Sequence, residues 1–161
     1  MKRPLLLAAS ILIPVTAIAQ DQPPPPPAPA PTAPTAPPAT PDEFVAQRQA
    51  RMARGGGALA SMKQILDANG DLTTLAPRIE RLNQWAQELP TMFPEGSDIA
   101  ASGARPEVWS DRPGFQAAAE HFRTAVQALA APAAANDHAA FLTAWTAARA
   151  TCSACHDSYK N

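Results

Sequence analysis

A proline-rich segment divides the chain into parts that differ in their capacity to fold. Eleven of the nineteen prolines in the 161-residue chain lie in "DQPPPPPAPAPTAPTAPPATP", from Asp21 to Pro41. Proline lacks a backbone N–H donor and fixes φ, so this stretch cannot join a helix or a sheet ladder. We interpret residues 20–41 as a disordered, partly polyproline II linker, which leaves residues 42–161 as the folded domain.

The N-terminal residues 1–19 have the pattern of a secretory signal peptide. Lys2 and Arg3 precede an apolar run from Leu5 to Ile18, and Ala17-Ile18-Ala19 fits a small-residue cleavage site. The apolar run is shorter than the roughly 20 residues that a membrane-spanning helix needs. We therefore expect cleavage after Ala19, export to the periplasm and no membrane span in the processed protein.

The charge balance argues against a nucleic-acid partner. The chain has 13 Lys and Arg residues against 14 Asp and Glu residues, and cleavage would remove Lys2 and Arg3. No basic run remains that would neutralise a phosphate backbone. The sequence also contains no nucleophile–base–acid arrangement, phosphate-binding loop or pair of catalytic carboxylates. We expect a carrier or binding protein and not an enzyme.

Residues 42–161 show helical periodicity throughout. Alanine is abundant, and apolar residues recur every three or four positions in four segments, about residues 42–70, 71–90, 114–131 and 137–159. Two connections are short, and the third, residues 90–114, is too rich in Pro, Gly and Ser to be helical. The sequence predicts an all-α fold, an antiparallel four-helix bundle in a single domain.

The two cysteines of the chain, Cys152 and Cys155, are followed directly by His156 and allow three interpretations. A thiol–disulfide oxidoreductase would carry Cys-x-x-Cys at a helix N-terminus within a βαβ framework, whereas here it lies near the end of a predicted helix. A structural zinc site needs four ligands. Only His121 and His138 could complete one, and neither has a suitable spacing. A thiol-redox or metal-handling protein is therefore a remote alternative.

The third interpretation is covalent attachment of haem, the usual meaning of Cys-x-x-Cys-His. Two thiols three residues apart on a helix can both reach the vinyl groups of one porphyrin and form thioethers. His156 is then held against the iron as its proximal ligand. Export agrees with this interpretation, because c-type haem is attached outside the cytoplasm. The sequence favours one covalent haem c with its iron, enclosed by the bundle.

The first predicted helix carries two features that are unusual on a buried face, Arg48 and the triplet Gly55-Gly56-Gly57. Glycine allows a backbone to approach a porphyrin face closely, and we assign Gly56, at the centre of the triplet, to the haem slot. The forked guanidinium of Arg48 suits a haem propionate. The alternative for Arg48 is an ordinary solvated helix residue.

Together these motifs resemble the class II c-type cytochromes, the cytochrome c′ family. The resemblance spans residues 43–160, and the C-terminal position of Cys-x-x-Cys-His distinguishes class II from class I. It rests on Arg48-x-x-x-Met52, "LPTMFPEGS", "PEVWSDRPGF" and "TCSACHDSYK". The resemblance implies thioether bonds at Cys152 and Cys155, axial ligation by His156, Arg48 near a propionate and Met52 on the distal face.

The chain departs from the family pattern at two places. The family usually has an arginine four residues after the haem histidine, whereas this chain has Lys160, which keeps the charge but loses the planar fork. A proximal-pocket role is therefore not carried over to Lys160. The proline-rich leader also lies outside the pattern.

Met52 decides between two branches of the family. One branch leaves the sixth iron site vacant and binds small gases, and the other uses a methionine sulfur as a ligand in a low-spin electron carrier. Met52 lies four residues after Arg48, on the same helical face. We favour ligation by Met52, and with it an exported mono-haem electron carrier that meets redox partner proteins. The alternative is a five-coordinate haem protein in which Met52 packs over an open site that binds NO or CO. The sequence leaves open whether the protein forms a homodimer.

Overall fold

The computed structural model describes residues 40–161. The predicted signal peptide and all but the last two residues of the predicted linker lie outside the described residues. Four long helices, α1 (Pro41–Asp67), α2 (Ala76–Glu88), α4 (Arg112–Gln127) and α6 (His138–Tyr159), and two short ones, α3 (Glu107–Ser110) and α5 (Ala130–Ala134), form the described part. None of these helices is both long and apolar enough to cross a membrane.

The long helices pack as the predicted all-α bundle. α4 lies against α2 and α6, and α1 completes the arrangement by packing against α2 and α6. Within residues 40–161 the β-type pairing amounts to a single isolated bridge, between Ala104 and Lys160. The predicted fold class is therefore confirmed.

Side-chain caps set the starts of the helices. Thr40 Oγ1 accepts from the Glu43 N–H, and the Glu43 carboxylate accepts from the Thr40 N–H, which together make a capping box. Pro41 occupies the first helical position, where its missing N–H costs nothing. Asp111 and Asp137 cap α4 and α6 by accepting from the N–H three residues further on. Helix α1 begins at Pro41, one residue before residue 42, where the sequence analysis places the start of the domain.

The core lies where the apolar stripes meet. α2 and α4 bury the faces that their periodicity predicts, and their innermost residues include Ile79, Leu82, Phe115, Phe122 and Val126. α6 is different, because it buries only Phe141 and Ala148, both in its first half. The second half of α6 is thus less tightly packed by protein than the other long helices.

The connection predicted to lack helix contains short helical turns, and that prediction was wrong in part. Residues Leu89–Met92 and Ala100–Ser102 form 3₁₀ turns, and α3 follows them. Pro90 lies in the first turn of its element and Pro106 caps α3, positions that do not require a backbone N–H. Proline content therefore marked helix starts here and not an absence of helix.

Candidate functional site

The second half of α6 presents the predicted attachment motif. Cys152, Cys155 and His156 lie three and four residues apart and so share one side of the helix. Both cysteines are half-buried, and His156 is more exposed. The motif lies in the last turns of a helix, as the sequence predicts.

Two cavities meet at this side of α6. The larger, of about 400 Å³, lies between α1, the residues 93–108 and the end of α6. The smaller, of about 90 Å³, lies among α1, α2, α4 and α6. Met52, Cys155 and His156 line both cavities, and Cys152 lines the smaller one. The fold therefore brings the predicted thiols, imidazole and thioether together around one space.

The residues around this space fit a haem. Aromatic and aliphatic side chains line both cavities, among them Phe93, Val108 and Phe115 in the larger and Leu59, Leu89 and Phe122 in the smaller. Two thiols and an imidazole on one helix supply the donors that covalent attachment and iron ligation need. A flat apolar group could extend across both cavities, because they share Met52, Cys155 and His156.

The glycine triplet divides between two faces of α1. Gly56 lines the smaller cavity, and a Cβ built on it would meet no protein atom within 4 Å. A Cβ on Gly55 would lie 3.5 Å from Trp85 of α2. Gly56 is thus placed beside the candidate haem space, and its role as a haem slot stays a prediction.

The electrostatics of the site favour metal ligation over thiol chemistry. Burial, and then the positive charge of Lys160, lower the pKa of His156, which favours the neutral imidazole, the form that binds metals. Burial raises the pKa of both Cys152 and Cys155, although Arg149 partly opposes this at Cys152. A thiol–disulfide oxidoreductase needs a lowered thiol pKa.

The zinc alternative finds no support in the described residues. Between residues 40 and 161 no three or more His, Cys, Asp or Glu side chains come together in a way that could hold a metal ion. His138 instead lies with its Nε2 atom 3.0 Å from the carbonyl oxygen of Gly70.

Arg48 makes contacts that the sequence did not reveal. The residue is 2% exposed, so the alternative of a solvated helix residue is wrong. Its Nη1 donates to the Met92 carbonyl (3.3 Å) and to Ser97 Oγ (2.8 Å). Its Nη2 donates to the Ser97 carbonyl (2.7 Å) and to Ser102 Oγ (2.5 Å). Arg48 also lines the larger cavity, and its contact with a haem propionate stays a prediction.

The loop held by Arg48 is also bonded to the end of α6. The Arg105 N–H donates to the Tyr159 carbonyl, and the Asn161 N–H donates to the Gly103 carbonyl, each at 3.0 Å. These bonds and the Ala104–Lys160 bridge tie the loop to the residues that follow the motif. No local sequence pattern indicates them, because the partners lie more than 50 residues apart.

Tyr159 fixes the last turn of α6 to the start of α4. Its hydroxyl donates to Asp111 Oδ2 at 3.1 Å, and its ring packs edge-on against Phe115 with the centroids 5.4 Å apart. Tyr159 also lines the larger cavity. The helix that carries Cys155 and His156 is therefore held at its end by α4.

Comparison with known proteins identifies close relatives. The family model described as Cytochrome C′ matches residues 43–160. A cytochrome c′ from Pararhodospirillum photometricum is 31% identical over 124 residues, which cover 76% of this chain and 99% of the relative.

Solved structures of cytochrome c′ from Alcaligenes xylosoxidans are similar in fold. A ferrous variant with bound NO aligns with a TM-score of 0.70 at 27% identity, covering 76% of this chain and 97% of that chain. A carbon monoxide-bound variant aligns with the same TM-score at 26% identity, covering 76% and 98%. These structures, the family model and the curated relative agree with one another. The chain therefore belongs to the cytochrome c′ family and carries one covalently bound c-type haem with its iron.

Proposed function

We propose that this cytochrome c′ binds small gases such as NO and CO at its haem. The observation that carries the proposal is the similarity, over three quarters of the chain, to cytochromes c′ with bound NO or CO. The haem iron supplies the ligand-binding chemistry when it is in place. The residues of this chain attach the haem and set the polarity of the space around it.

Each predicted site residue has a distinct part in this proposal. Cys152 and Cys155 would hold the haem through thioethers, and His156 would ligate the iron from α6. Met52, on α1, would lie on the other side. Its thioether is at most a weak hydrogen-bond acceptor, so the side chain makes its surroundings apolar. An apolar pocket favours neutral diatomic ligands over water or anions, which lose hydration on entry.

The interpretation favoured from the sequence, an electron carrier with a His/Met-ligated iron, becomes the second candidate. One observation supports this second candidate: Met52 and His156 line the same two cavities, so both side chains border the candidate haem space. The comparisons support gas binding better, because the similar structures include complexes with NO and CO.

The absorption spectrum of the reduced protein, with and without CO, tests the two candidates. Gas binding predicts a high-spin spectrum that changes on addition of CO. It further predicts that Met52→Leu, which removes the sulfur at similar volume, keeps the wild-type spin state. Met62→Leu is the matched control, because Met62 is fully buried in the core and lines neither cavity.

A low-spin wild-type spectrum that becomes high-spin only in Met52→Leu would instead establish the electron carrier. If neither CO nor NO changes the spectrum of the reduced wild-type protein, gas binding is excluded.

We also infer that the protein works after export, in the periplasm, as a binding protein and not as an enzyme. The support for export is the signal-like pattern of residues 1–19 together with the haem, because c-type haem is attached outside the cytoplasm.

A further inference from the structure

A third cavity, an open groove of about 490 Å³, lies between α1 and α2. None of the predicted haem-binding residues of α6 lines it. Two arginines from α1, Arg51 and Arg54, and two from α2, Arg78 and Arg81, do line it. We call it the arginine groove. Residues three apart on a helix are neighbours on its surface, so each helix contributes one adjacent pair of guanidinium groups.

The positive charge of the arginine groove is mostly uncompensated. Among the described residues Glu88 is the one carboxylate that lines it, and Glu88 forms an ion pair with Arg51. Arg54, Arg78 and Arg81 have no ion pair within residues 40–161. The groove thus concentrates positive charge on a chain whose formal net charge is negative. A concave surface lined by charge of one sign attracts ions of the opposite sign.

The floor of the arginine groove is kept open by residues without bulky side chains. Gly55, Gly57 and Ala58 of α1 line it, and a Cβ on Gly57 would meet no protein atom within 4 Å. Trp85 forms a buried wall, and the Arg51 guanidinium carbon lies 5.6 Å from a ring centroid of Trp85. The position of Arg51 is thus fixed by both Trp85 and Glu88.

The size and chemistry of the arginine groove indicate the class of ligand. Its volume falls in the range of about 300–1,000 Å³ that is usual for small-molecule sites. Guanidinium groups bind phosphate and carboxylate oxygens through two parallel N–H donors. Ser61 and Gln84 add neutral polar groups to the lining. Two arginine pairs facing one groove suit a ligand with an anionic group for each pair.

We propose that the arginine groove binds a small anion that carries at least two phosphate or carboxylate groups. Each arginine pair holds one of these groups. The groove shares Gly55 and Trp85 with the smaller haem cavity, but Met52, Cys152, Cys155 and His156 do not line it, so the proposal does not depend on which ligands the iron takes.

Isothermal titration of the haem-loaded protein tests the proposal. The probes are sodium tripolyphosphate, citrate and sulfate at equal ionic strength, and the first two distinguish a phosphate ligand from a carboxylate ligand. We expect tripolyphosphate or citrate to bind at one site at least about tenfold more tightly than sulfate, because each arginine pair adds a charge-assisted contact.

Two variants separate the groove from general charge effects. Arg78→Gln combined with Arg81→Gln should weaken binding roughly tenfold for each guanidinium removed. Arg123→Gln removes one charge from α4, outside the groove, and should change the affinity by less than about twofold, since Arg123 does not line the groove and is already paired with Glu120. The haem spectrum and the helical circular dichroism should be the same in the wild-type protein, the double variant and Arg123→Gln.

A further variant covers the case in which the double variant does not fold. Gly57→Glu places a carboxylate in the open space of the groove and should abolish binding. The proposal is overturned if none of the three anions binds, if Arg123→Gln weakens binding as much as the double variant, or if Gly57→Glu binds normally.

Discussion

Arg48 is a buried guanidinium whose described hydrogen bonds all go to uncharged groups. Burying such a charge is costly unless its N–H groups are paired, and four donations to Met92, Ser97 and Ser102 satisfy most of them. The guanidinium carbon also lies 4.7 Å from the centroid of the Phe93 ring. Burial lowers the pKa of Arg48, but arginine remains charged at any ordinary pH. Arg48 thus fastens residues 92–102 to α1.

Replacement of Arg48 by alanine should lower the free energy of unfolding by about 2–4 kcal/mol, because two hydroxyls and two carbonyls lose their partner. Denaturant unfolding of the haem-loaded protein measures this loss. The control is Gln49→Ala, which removes a single exposed bond to the Ala101 carbonyl and should cost about 1 kcal/mol or less. Equal losses in the two variants would show that Arg48 does not hold the loop.

Gly56 and Gly57 are adjacent, but they face different cavities. Gly57→Ala should raise the free energy of unfolding by about 0.5–1 kcal/mol, the usual gain from alanine in a helix interior, and leave the haem spectrum unchanged. Gly56→Ala should shift the haem absorption bands and bring no such gain, because its Cβ enters the smaller cavity. Identical spectra for both variants would remove Gly56 from the haem site.

At the level of the helices, α4 begins in a crowded turn. A Cβ on Gly114 would lie 2.1 Å from Asp111 Oδ2 and 2.7 Å from the Tyr159 hydroxyl oxygen. Those two groups cap α4 and join it to the end of α6. A side chain at this position would have to displace the Asp111 carboxylate and the Tyr159 hydroxyl.

Gly114→Ala should therefore lower the free energy of unfolding by about 2 kcal/mol, through loss of the cap and displacement of Tyr159. Thermal unfolding of Gly114→Ala and Gly57→Ala side by side measures this loss. The same substitution should lower the free energy of unfolding at position 114 and raise it at position 57. A Gly114→Ala protein as stable as the wild type would disprove the crowding.

The helices differ in how well their sequence predicted them. α2 and α4 have clear apolar stripes, and these stripes supply most of the residues that the two helices bury. In α1 the periodicity was accurate in extent, but it could not explain Arg48, whose partners lie 44 to 54 residues away. The short helices α3 and α5 were missed, because Pro106 and Pro132 were interpreted as turn residues when each stands at or inside a helix.

Across the whole molecule, the candidate haem site could be located from the sequence because its motif is local, and the structure brings its residues around one space. Cys152, Cys155 and His156 lie within five consecutive residues, and Met52 was assigned through the resemblance to the class II cytochromes. The arginine groove was not predictable in the same way. Its two halves lie on separate helices, and they form one surface only once α1 and α2 have packed together.

Removal of both attachment cysteines tests the role of the haem in the molecule as a whole. Cys152→Ala combined with Cys155→Ala should give a protein whose mass equals that of its polypeptide, with haem that acid–acetone extracts. Its melting temperature should fall by several degrees, because the second half of α6 is sparsely packed by protein alone. The control is Ser153→Ala, inside the motif, which should keep covalent haem and the wild-type melting temperature. Haem that resists extraction from the cysteine-free variant would contradict thioether attachment.

The bonds between residues 103–105 and residues 159–161 also bear on the order of events during folding. They join positions more than 50 residues apart, so they form only once the end of α6 has packed against residues 103–105. Until then water must satisfy the backbone groups of that loop. One side of the bundle therefore stays open until α6 has packed against the loop, and these bonds then close that side over the haem that α6 carries.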